Sequence, residues 1–499
     1  ITDWDNVGRM VWEQQVQPDY AHAAAAAVKA GNDMVMTTPG FFDGALDAIR
    51  DGLLEESDLD AAVGRILTLK FELGLFEDPR RPDRERIATA IGTPAYGRLN
   101  LEAARRSLVL LRNEDGLLPL AGGYGADRSG RAADGDSAPR RIAVVGPLAD
   151  DAQTQLGDWA GGSGQAGWLD GQPRDMITTV LDGLRAHAPS NWTVTHAPGA
   201  EILTHGSHPD GDFFPDGQPR PPLVVPSEPD ERMIADAVAD AERADYVVAV
   251  VGDRIELVGE GKSTATLDLI GGQIALLDAL AQTGKPLIVV LMASKPLVLP
   301  PSALEAAAVV WAANPGMKGG RAIAELLLGL IEPSGRLPIS FARHAGQQPT
   351  YYNQIRGQHG DRYADLTQAP AFAFGEGLSY TWVEYSDLGL AAESVAAVGT
   401  VRAELTLRNV GERPVRETVQ AYVSDRVTSV SWADQELKGF LQVDLAPGEE
   451  KRVALEIPVA DLAIVDAKGD HVVEPGEFEL RIGRSSRDPW TQRITFRIG

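Results

Sequence analysis

Ile1-Thr2-Asp3-Trp4 is predicted to form a short strand that carries an acid at its carboxyl end. A helical stretch follows, then a second short strand over residues 33–36 and further helices. Strand–helix alternation with an acid at a strand end is typical of a (β/α)8 barrel, which keeps its chemistry there. Closing such a barrel takes eight strands and about 250 residues. We therefore expect residues 1–79 to form the last two strand–helix units of a barrel, with the earlier strands on a segment that this sequence lacks.

The helices of this first region are predicted from their end residues and their apolar faces. Residues 21–30 are rich in Ala and predict a helix that ends at Gly31. Ser57 is the predicted N-cap of a longer helix, with Asp60 in the capping-box position. The predicted apolar face of that helix consists of Leu59, Val63, Ile66, Leu67 and Phe71.

The middle of the chain predicts an α/β domain. Residues 80–105 are a predicted linker, and residues 106–345 are predicted to form an α/β sandwich. Four apolar runs within it are predicted strands, at residues 142–145, 246–251, 287–292 and 307–311. Their apolar residues are continuous rather than alternating, as expected of a mostly parallel sheet that is covered by helices on both faces.

The last part of the chain has a different pattern. Residues 346–383 are a predicted connecting segment, and residues 384–499 are predicted to form a small antiparallel β-sandwich. Polar and apolar residues alternate at residues 401–407, 418–423, 452–457 and 478–482. No exposed aromatic strip is evident, so we expect the sandwich to buttress the other domains rather than to bind carbohydrate.

Composition narrows the class of ligand. The net charge of −25 repels nucleic acid and anionic membranes and suits a neutral substrate. The absence of cysteine excludes disulfides, thiolate ligands and a Cys nucleophile. The eight histidines lack the spacing of a helical metal site, so we expect neither a metal nor a cofactor.

No signal peptide or apolar run of about 20 residues is visible in the sequence. The compartment stays open, with periplasm or secretion favoured over the cytoplasm.

Two acids are candidates for catalysis. Asp3 stands beside Trp4, a pairing that suits a sugar-binding cleft, although a strand-end acid can also simply cap a loop. Glu260 lies between two glycines, in the loop after the strand that ends near Gly252. Loops at the carboxyl ends of parallel strands bind ligands in α/β domains. The alternative for Glu260 is an ordinary charged surface loop, since Glu256 is another acid close by.

The same loop resembles part of a phosphate-binding loop. Gly261-Lys262-Ser263 matches the end of that motif, but Glu256 occupies the position of its first glycine. A carboxylate there would face the phosphates and obstruct the backbone cradle. We therefore reject nucleotide binding.

Several short motifs along the chain match those of one known family. Matching segments occur in order along nearly the whole chain: residues 1–4 (ITDW), 29–36 (KAGNDMVM), 69–76 (LKFELGLF), 107–113 (SLVLLRN), 117–120 (LLPL), 333–338 (PSGRLP), 374–380 (FGEGLSY), 437–440 (LKGF) and 445–448 (LAPG). In these motifs the chain resembles glycoside hydrolase family 3, of the three-domain β-glucosidase type. The resemblance implies that the last domain is a fibronectin-III-like β-sandwich.

The resemblance also assigns roles to particular residues. Asp3 matches the catalytic nucleophile and Glu260 the general acid/base, on two different domains. Both fit a retaining mechanism, in which the two carboxyl groups lie about 5–5.5 Å apart. Trp4 and Trp159 resemble the aromatic residues that flank the sugar, although Trp159 is equally compatible with a structural role.

The sequence departs from the family pattern at three places. The Arg expected after Glu260 is missing, with Thr264-Ala265-Thr266 near its place. Lys295 replaces the Arg that is common in its turn. The six earlier barrel strands, which supply the Asp, Arg, Lys and His that hold sugar hydroxyls in relatives, are not in this sequence.

The expected function is that of a retaining exo-β-glycosidase, foremost a β-glucosidase that releases glucose from the non-reducing end of β-glucosides or cello-oligosaccharides. Alternatives are a β-xylosidase or broader exo-glycosidase of the same family, and a non-catalytic fragment. The expected partners are a small carbohydrate and a separate N-terminal barrel segment, and we also consider a homodimer.

Overall fold

The computed structural model describes residues 1–122, 138–157, 160, 173–213, 220, 223–259, 263–357 and 363–499. It divides the chain into two compact units, Ile1–Thr93 and Pro94–Gly499. The division falls within the predicted linker at residues 80–105, which holds a short helix and most of a longer one.

The first unit is helical. Its helices are α1 (Asn6–Trp12), α2 (Tyr20–Lys29), α3 (Phe41–Arg50), α4 (Glu56–Glu72) and α5 (Arg84–Ala90). Helix α2 begins where the Asp19 carboxylate accepts a hydrogen bond from the backbone N–H of His22, which satisfies one of the free donors at the helix start. Its small Ala side chains are buried and allow close packing against α3.

The strands predicted at residues 1–4 and 33–36 are wrong in detail. Two extended segments do lie side by side, because Thr2 N donates to Met34 O (3.0 Å) and Asp5 N to Met36 O (3.2 Å). Side-chain oxygens, however, accept hydrogen bonds from backbone N–H groups in these segments. Thr2 Oγ1 accepts from Met36 N, and Asp3 Oδ1 accepts from Trp4 N, so no regular strand forms.

The predicted cap of the long helix is also wrong. Helix α4 begins at Glu56, with Glu55 as its N-cap, and the Asp58 carboxylate accepts from Glu55 N at 3.1 Å. Ser57 already lies inside the first turn, where its hydroxyl donates to the Glu55 carboxylate. Much of the predicted apolar face is exposed within this unit, with Val63, Leu67 and Phe71 among the exposed residues.

The second unit begins with the α/β domain, which confirms the predicted class. Its elements are α6 (Pro94–Ser107), β1 (Val109–Asn113), β2 (Arg141–Val145), α7 (Val180–His187), β3 (Thr193–Ala197), β4 (Leu203–Gly206), β5 (Leu223–Pro226), α8 (Glu231–Glu242), β6 (Tyr246–Gly252), α9 (Gln273–Gln282), β7 (Leu287–Met292), α10 (Pro301–Leu304), β8 (Ala308–Trp311) and α11 (Gly319–Leu328). The six-stranded sheet has the order β1-β8-β7-β6-β2-β3. Only β1 runs antiparallel to its neighbour in that sheet, so the sheet is mixed but mostly parallel.

Both faces of the central strands are buried, as their continuous apolar sequences predicted. Successive residues of β6 and β7 contribute alternately to two separate apolar cores, one on each side of the sheet. Every residue of β7 is buried. This rigid double-sided core fixes the ends of β6 and β7, from which the loops of the candidate site leave.

The β-sandwich closes the chain and is confirmed. Its strands are β9 (Val383–Leu390), β10 (Ser394–Val395), β11 (Thr400–Asn409), β12 (Val415–Asp425), β13 (Glu436–Leu445), β14 (Glu450–Pro458), β15 (Ile464–Val465), β16 (His471–Val472), β17 (Gly476–Gly483) and β18 (Gln492–Ile498). One sheet has the order β10-β18-β17-β12-β13 and the other β14-β11-β9, with β15 and β16 forming a small separate pair. Among the described residues, no helix is long and apolar enough to cross a membrane.

Candidate active site

Asp3 presents an exposed carboxylate at the end of the first extended segment. Its Oδ1 accepts from Trp4 N at 2.6 Å, and its carbonyl oxygen accepts from Asn6 N at 3.3 Å. These bonds turn the chain into α1 directly after the acid. The neighbouring Trp4 indole is 46% exposed. The unit therefore offers an acid and an aromatic face next to each other.

The Asp5 carboxylate supports this turn. Its backbone has a φ of 48°, in the left-handed region. Its Oδ2 accepts from Trp12 Nε1 at 3.0 Å, which ties the turn to the far end of α1. Gly8 lies directly beneath this carboxylate, because a Cβ there would stand 2.1 Å from Asp5 Oδ1. The Asp5 carboxylate is thus held in place and supports the turn that follows Asp3.

In the second unit, a buried acid follows β6. Asp253 is 4% exposed, and the Lys295 ammonium lies 3.4 Å from its Oδ2. Burial raises the pKa of Asp253, and the charge of Lys295 opposes this only in part. Sequence reasoning missed this pair, although an acid directly after a buried parallel strand was a usable indication.

Lys295 also holds the loop that follows residues 260–262. Its Nζ donates to Thr264 Oγ1 at 2.9 Å. Two of the positions at which the sequence departs from the family pattern, Thr264 and Lys295, therefore contact each other. The backbones of the same two loops are also hydrogen-bonded, since Val298 N donates to Leu267 O at 2.8 Å.

Arg254 neutralises the acids around it. Its guanidinium donates to both oxygens of Glu256, at 3.0 and 3.2 Å, and lies 3.7 Å from Asp151. Burial alone would raise the pKa of Glu256, but the hydrogen bonds and charge of Arg254 outweigh it and lower the pKa. Because a general acid must start protonated, this environment does not suit Glu256 for that role.

Two predicted site residues, Glu260 and Trp159, lie outside the described residues. The chain enters residue 260 from Gly259, whose φ of 104° favours glycine. Asp3 and Trp4 belong to the first unit, whereas the Asp253–Lys295–Thr264 cluster belongs to the second. Among the described residues, no group of three or more His, Asp or Glu could hold a metal ion.

Comparison with known proteins identifies the class that these domains define. Residues 108–380 match the glycosyl hydrolase family 3 C-terminal domain, and residues 417–486 match a fibronectin type III-like domain. The chain belongs to glycosyl hydrolase family 3, as its motifs indicated.

Relatives of the chain are glycosidases. It is 34% identical over 482 residues to a periplasmic beta-glucosidase of Salmonella typhimurium, covering 94% of this chain and 59% of that protein. It is 32% identical over 502 residues to a beta-xylosidase of Formosa agariphila, covering 98% of this chain and 63% of that protein. The chain thus spans less than two thirds of the length of both relatives.

Solved structures agree with this assignment. A beta-glucosidase involved in saponin metabolism from intestinal bacteria superimposes with a TM-score of 0.91 at 56% identity, over 100% of this chain and 66% of that one. A b-glucosidase from Erythrobacter marinus gives a TM-score of 0.84 at 31% identity, over 100% and 63%.

Proposed function

We propose that this chain carries the catalytic carboxylates of a retaining exo-β-glycosidase that releases glucose from β-glucosides. The observation that carries the proposal is the exposed Asp3 carboxylate beside the exposed Trp4 indole, at the end of an extended segment. The β-glucosidases among the relatives support the choice of glucose. The acidic surface fits a neutral substrate.

The proposed reaction is a double displacement. The Asp3 carboxylate attacks the anomeric carbon while Glu260 donates its proton to the glycosidic oxygen, so the bond to the leaving alcohol breaks and a glycosyl ester forms. Glu260, now a carboxylate, takes a proton from water, and the resulting oxygen attacks the same carbon. The ester bond to Asp3 breaks, and glucose leaves with its original anomeric configuration.

Catalysis also requires groups that hold the sugar hydroxyls. We propose that these come from the earlier barrel strands, carried by a polypeptide segment outside the present sequence. The greater length of the relatives supports this requirement. A chain without that segment would be the non-catalytic fragment of the alternative hypothesis. Release of nitrophenol from an aryl β-glucoside, with intact mass recorded on the same sample, separates the two cases.

The first prediction concerns Asp3. In protein that contains the complete barrel, Asp3→Asn should reduce kcat by a factor of about 10³ or more, equivalent to about 4 kcal/mol in the barrier, because an amide cannot form the glycosyl ester. A fluorinated glucoside should label the wild type at Asp3, as read by peptide mass. Labelling at any other residue would refute the nucleophile assignment.

The second prediction concerns Glu260. Glu260→Ala should slow hydrolysis of the glycosyl-enzyme, because no base remains to activate water. Azide, a small anion that needs no base, should restore turnover and give a β-glycosyl azide. Glu256→Gln is the matched control, since Arg254 already keeps that acid ionised. Azide rescue in the Glu256 variant instead would transfer the role to Glu256.

A β-xylosidase is the second candidate, favoured by the Formosa agariphila relative. The ratio of kcat/KM for nitrophenyl β-glucoside and β-xyloside decides between them, because the two sugars differ only in the hydroxymethyl group. We further propose a periplasmic or secreted location, which the periplasmic Salmonella typhimurium relative supports.

A further inference from the structure

The described lining of a cavity in the connecting segment between the α/β domain and the β-sandwich includes none of the residues that the proposed catalysis uses. Its volume is about 460 Å³, within the range of small-molecule sites. The side chains that matter for its chemistry are Gln347, Thr350, Tyr351, Gln354, Tyr363 and Gln368.

The described residues that line this cavity are polar and aromatic. They contribute two phenol rings and three carboxamides, and none of these described residues is acidic or basic. Carboxamides both donate and accept hydrogen bonds, which is what pairs of neighbouring sugar hydroxyls require. Aromatic faces suit the C–H surface of a sugar ring. The described part of the lining therefore fits a neutral saccharide.

The walls are held rigid by hydrogen bonds. Gln347 Oε1 accepts from Arg343 N at 2.7 Å, and its Nε2 donates to Thr367 O at 2.7 Å, which joins the two sides of the segment. Tyr363 OH donates to Gly346 O at 2.9 Å and so fixes the orientation of its ring. A site ordered before the ligand arrives loses less entropy on binding.

Two lining groups have polar atoms available. The Tyr351 ring is 61% exposed, and the structure gives neither its hydroxyl nor the Gln354 carboxamide a hydrogen-bond partner among the described residues. The backbone of Gln354 is nevertheless anchored, because its carbonyl oxygen accepts from Asp434 N at 2.9 Å. An anchored backbone with an available carboxamide is the arrangement expected of a ligand-binding residue.

We propose that this cavity is a saccharide-binding site, in which a neutral sugar ring stacks on Tyr351 and hydrogen-bonds to the Gln354 carboxamide. Tyr363 forms the fixed second aromatic wall. The site uses neither Asp3 nor Glu260. It goes beyond the proposed hydrolysis, because it would retain part of a glycan or glycoside without cleaving it.

Isothermal titration calorimetry of the full chain with cellotetraose and xylotetraose tests the proposal. We expect binding to at least one of them, and Tyr351→Ala or Gln354→Ala should weaken it about tenfold, equivalent to about 1.4 kcal/mol. The matched control is Phe440→Ala, which removes a similarly exposed ring (66%) from the β-sandwich and should leave the affinity within twofold. Thermal melts should show that all three variants stay folded.

Two further results separate this site from the proposed active site. Asp3→Asn should leave the calorimetric affinity unchanged, although it removes the proposed nucleophile. Isofagomine, a ligand of the Listeria innocua beta-glucosidase, should not compete for the site. The proposal is overturned if the wild-type chain binds neither oligosaccharide at millimolar concentration, or if Tyr351→Ala and Gln354→Ala both bind as the wild type does.

Discussion

At the scale of single residues, Lys295 connects a buried acid to a loop. Its ammonium lies 3.4 Å from Asp253 Oδ2 and donates to Thr264 Oγ1 at 2.9 Å. A buried carboxylate is tolerated only when a charge or hydrogen bonds compensate it. Lys295 supplies that charge and at the same time fixes the residue four positions after Glu260.

We predict that Lys295→Met destabilises the second unit by about 3 kcal/mol, because it leaves Asp253 buried without its cation. Urea unfolding followed by Trp fluorescence measures this change. Adding Asp253→Asn should recover at least half of the loss, since the neutral side chain needs no counter-charge. If the double variant is as unstable as the sum of the single ones, the pair is not coupled and the explanation fails.

The sequence pointed to only some of the candidate residues. Asp3, Trp4 and Glu260 stand out because an acid at a strand end, or between glycines after a strand, has a recognisable local pattern. Thr264 and Lys295 are 31 residues apart, and each looked like an isolated departure from the family pattern. Their contact depends on how the loops after β6 and β7 run side by side, which no local pattern contains.

At the scale of elements, continuous apolar runs predicted β6 and β7 well, because a strand buried on both faces leaves no place for polar residues. The short elements are harder to predict from the sequence. Over residues 1–4, the oxygens of Thr2 and Asp3 compete with the backbone for hydrogen bonds. At α4, the Glu55–Asp58 and Ser57–Asp60 pairs both match a cap, and propensity alone does not choose between overlapping patterns.

A buried carboxylate on α11 forms an ion pair with helix α6. Glu325, whose side chain is 3% exposed, accepts two hydrogen bonds from Arg105 of α6 and one from Arg321. Burial alone would raise the pKa of Glu325, but the hydrogen bonds and charges of both arginines outweigh it and lower the pKa. The ionised form of Glu325 therefore stabilises the fold.

This gives a prediction with a definite pH dependence. A carboxyl whose pKa is depressed by folding contributes stability above its unfolded pKa of 4.5, and that stability is lost as the pH falls through the folded pKa. Glu325→Gln should therefore cost about 3 kcal/mol at pH 7, and the difference from wild type should shrink as the pH falls below 4.5. Urea unfolding between pH 7 and about pH 3.5 tests this. A difference that stays constant over this range would show that Glu325 acts through packing alone.

At the scale of the whole second unit, polar contacts join the α/β domain to the β-sandwich. Arg413 donates to Glu332 Oε2 at 2.9 Å and to Gly329 O at 2.7 Å, next to the C-terminus of α11. The other oxygen of Glu332 accepts from the backbone N–H groups of Tyr380 and Thr381. Strand β12 is buried along nearly its whole length, and residues that precede the sandwich contact it: Arg336 pairs with Glu417, and Gln420 donates to the Gly375 carbonyl oxygen.

Keeping the Glu332 carboxyl ionised at this junction costs free energy. Its side chain is 8% exposed, and burial raises its pKa despite Arg413 and the two backbone donors. Because the pKa is raised by folding, the contribution of this group to stability is complete below its unfolded pKa of 4.5 and is lost as the pH rises through the folded pKa. Arg413 limits that loss.

Replacing Arg413 should therefore weaken the junction most at neutral and alkaline pH. Arg413→Met is expected to cost about 3 kcal/mol at pH 8, where Glu332 would be charged and without its cation, and less at pH 4.5, where it is partly protonated. Arg408→Met is the matched control, since Arg408 is an exposed arginine of the sandwich and its loss should change stability by no more than about 0.5 kcal/mol. Urea unfolding of both variants at the two pH values makes the comparison. An Arg413→Met deficit equal at both values would mean that the arginine joins the domains through its packing and its bond to Gly329, and that the charge of Glu332 has no part in it.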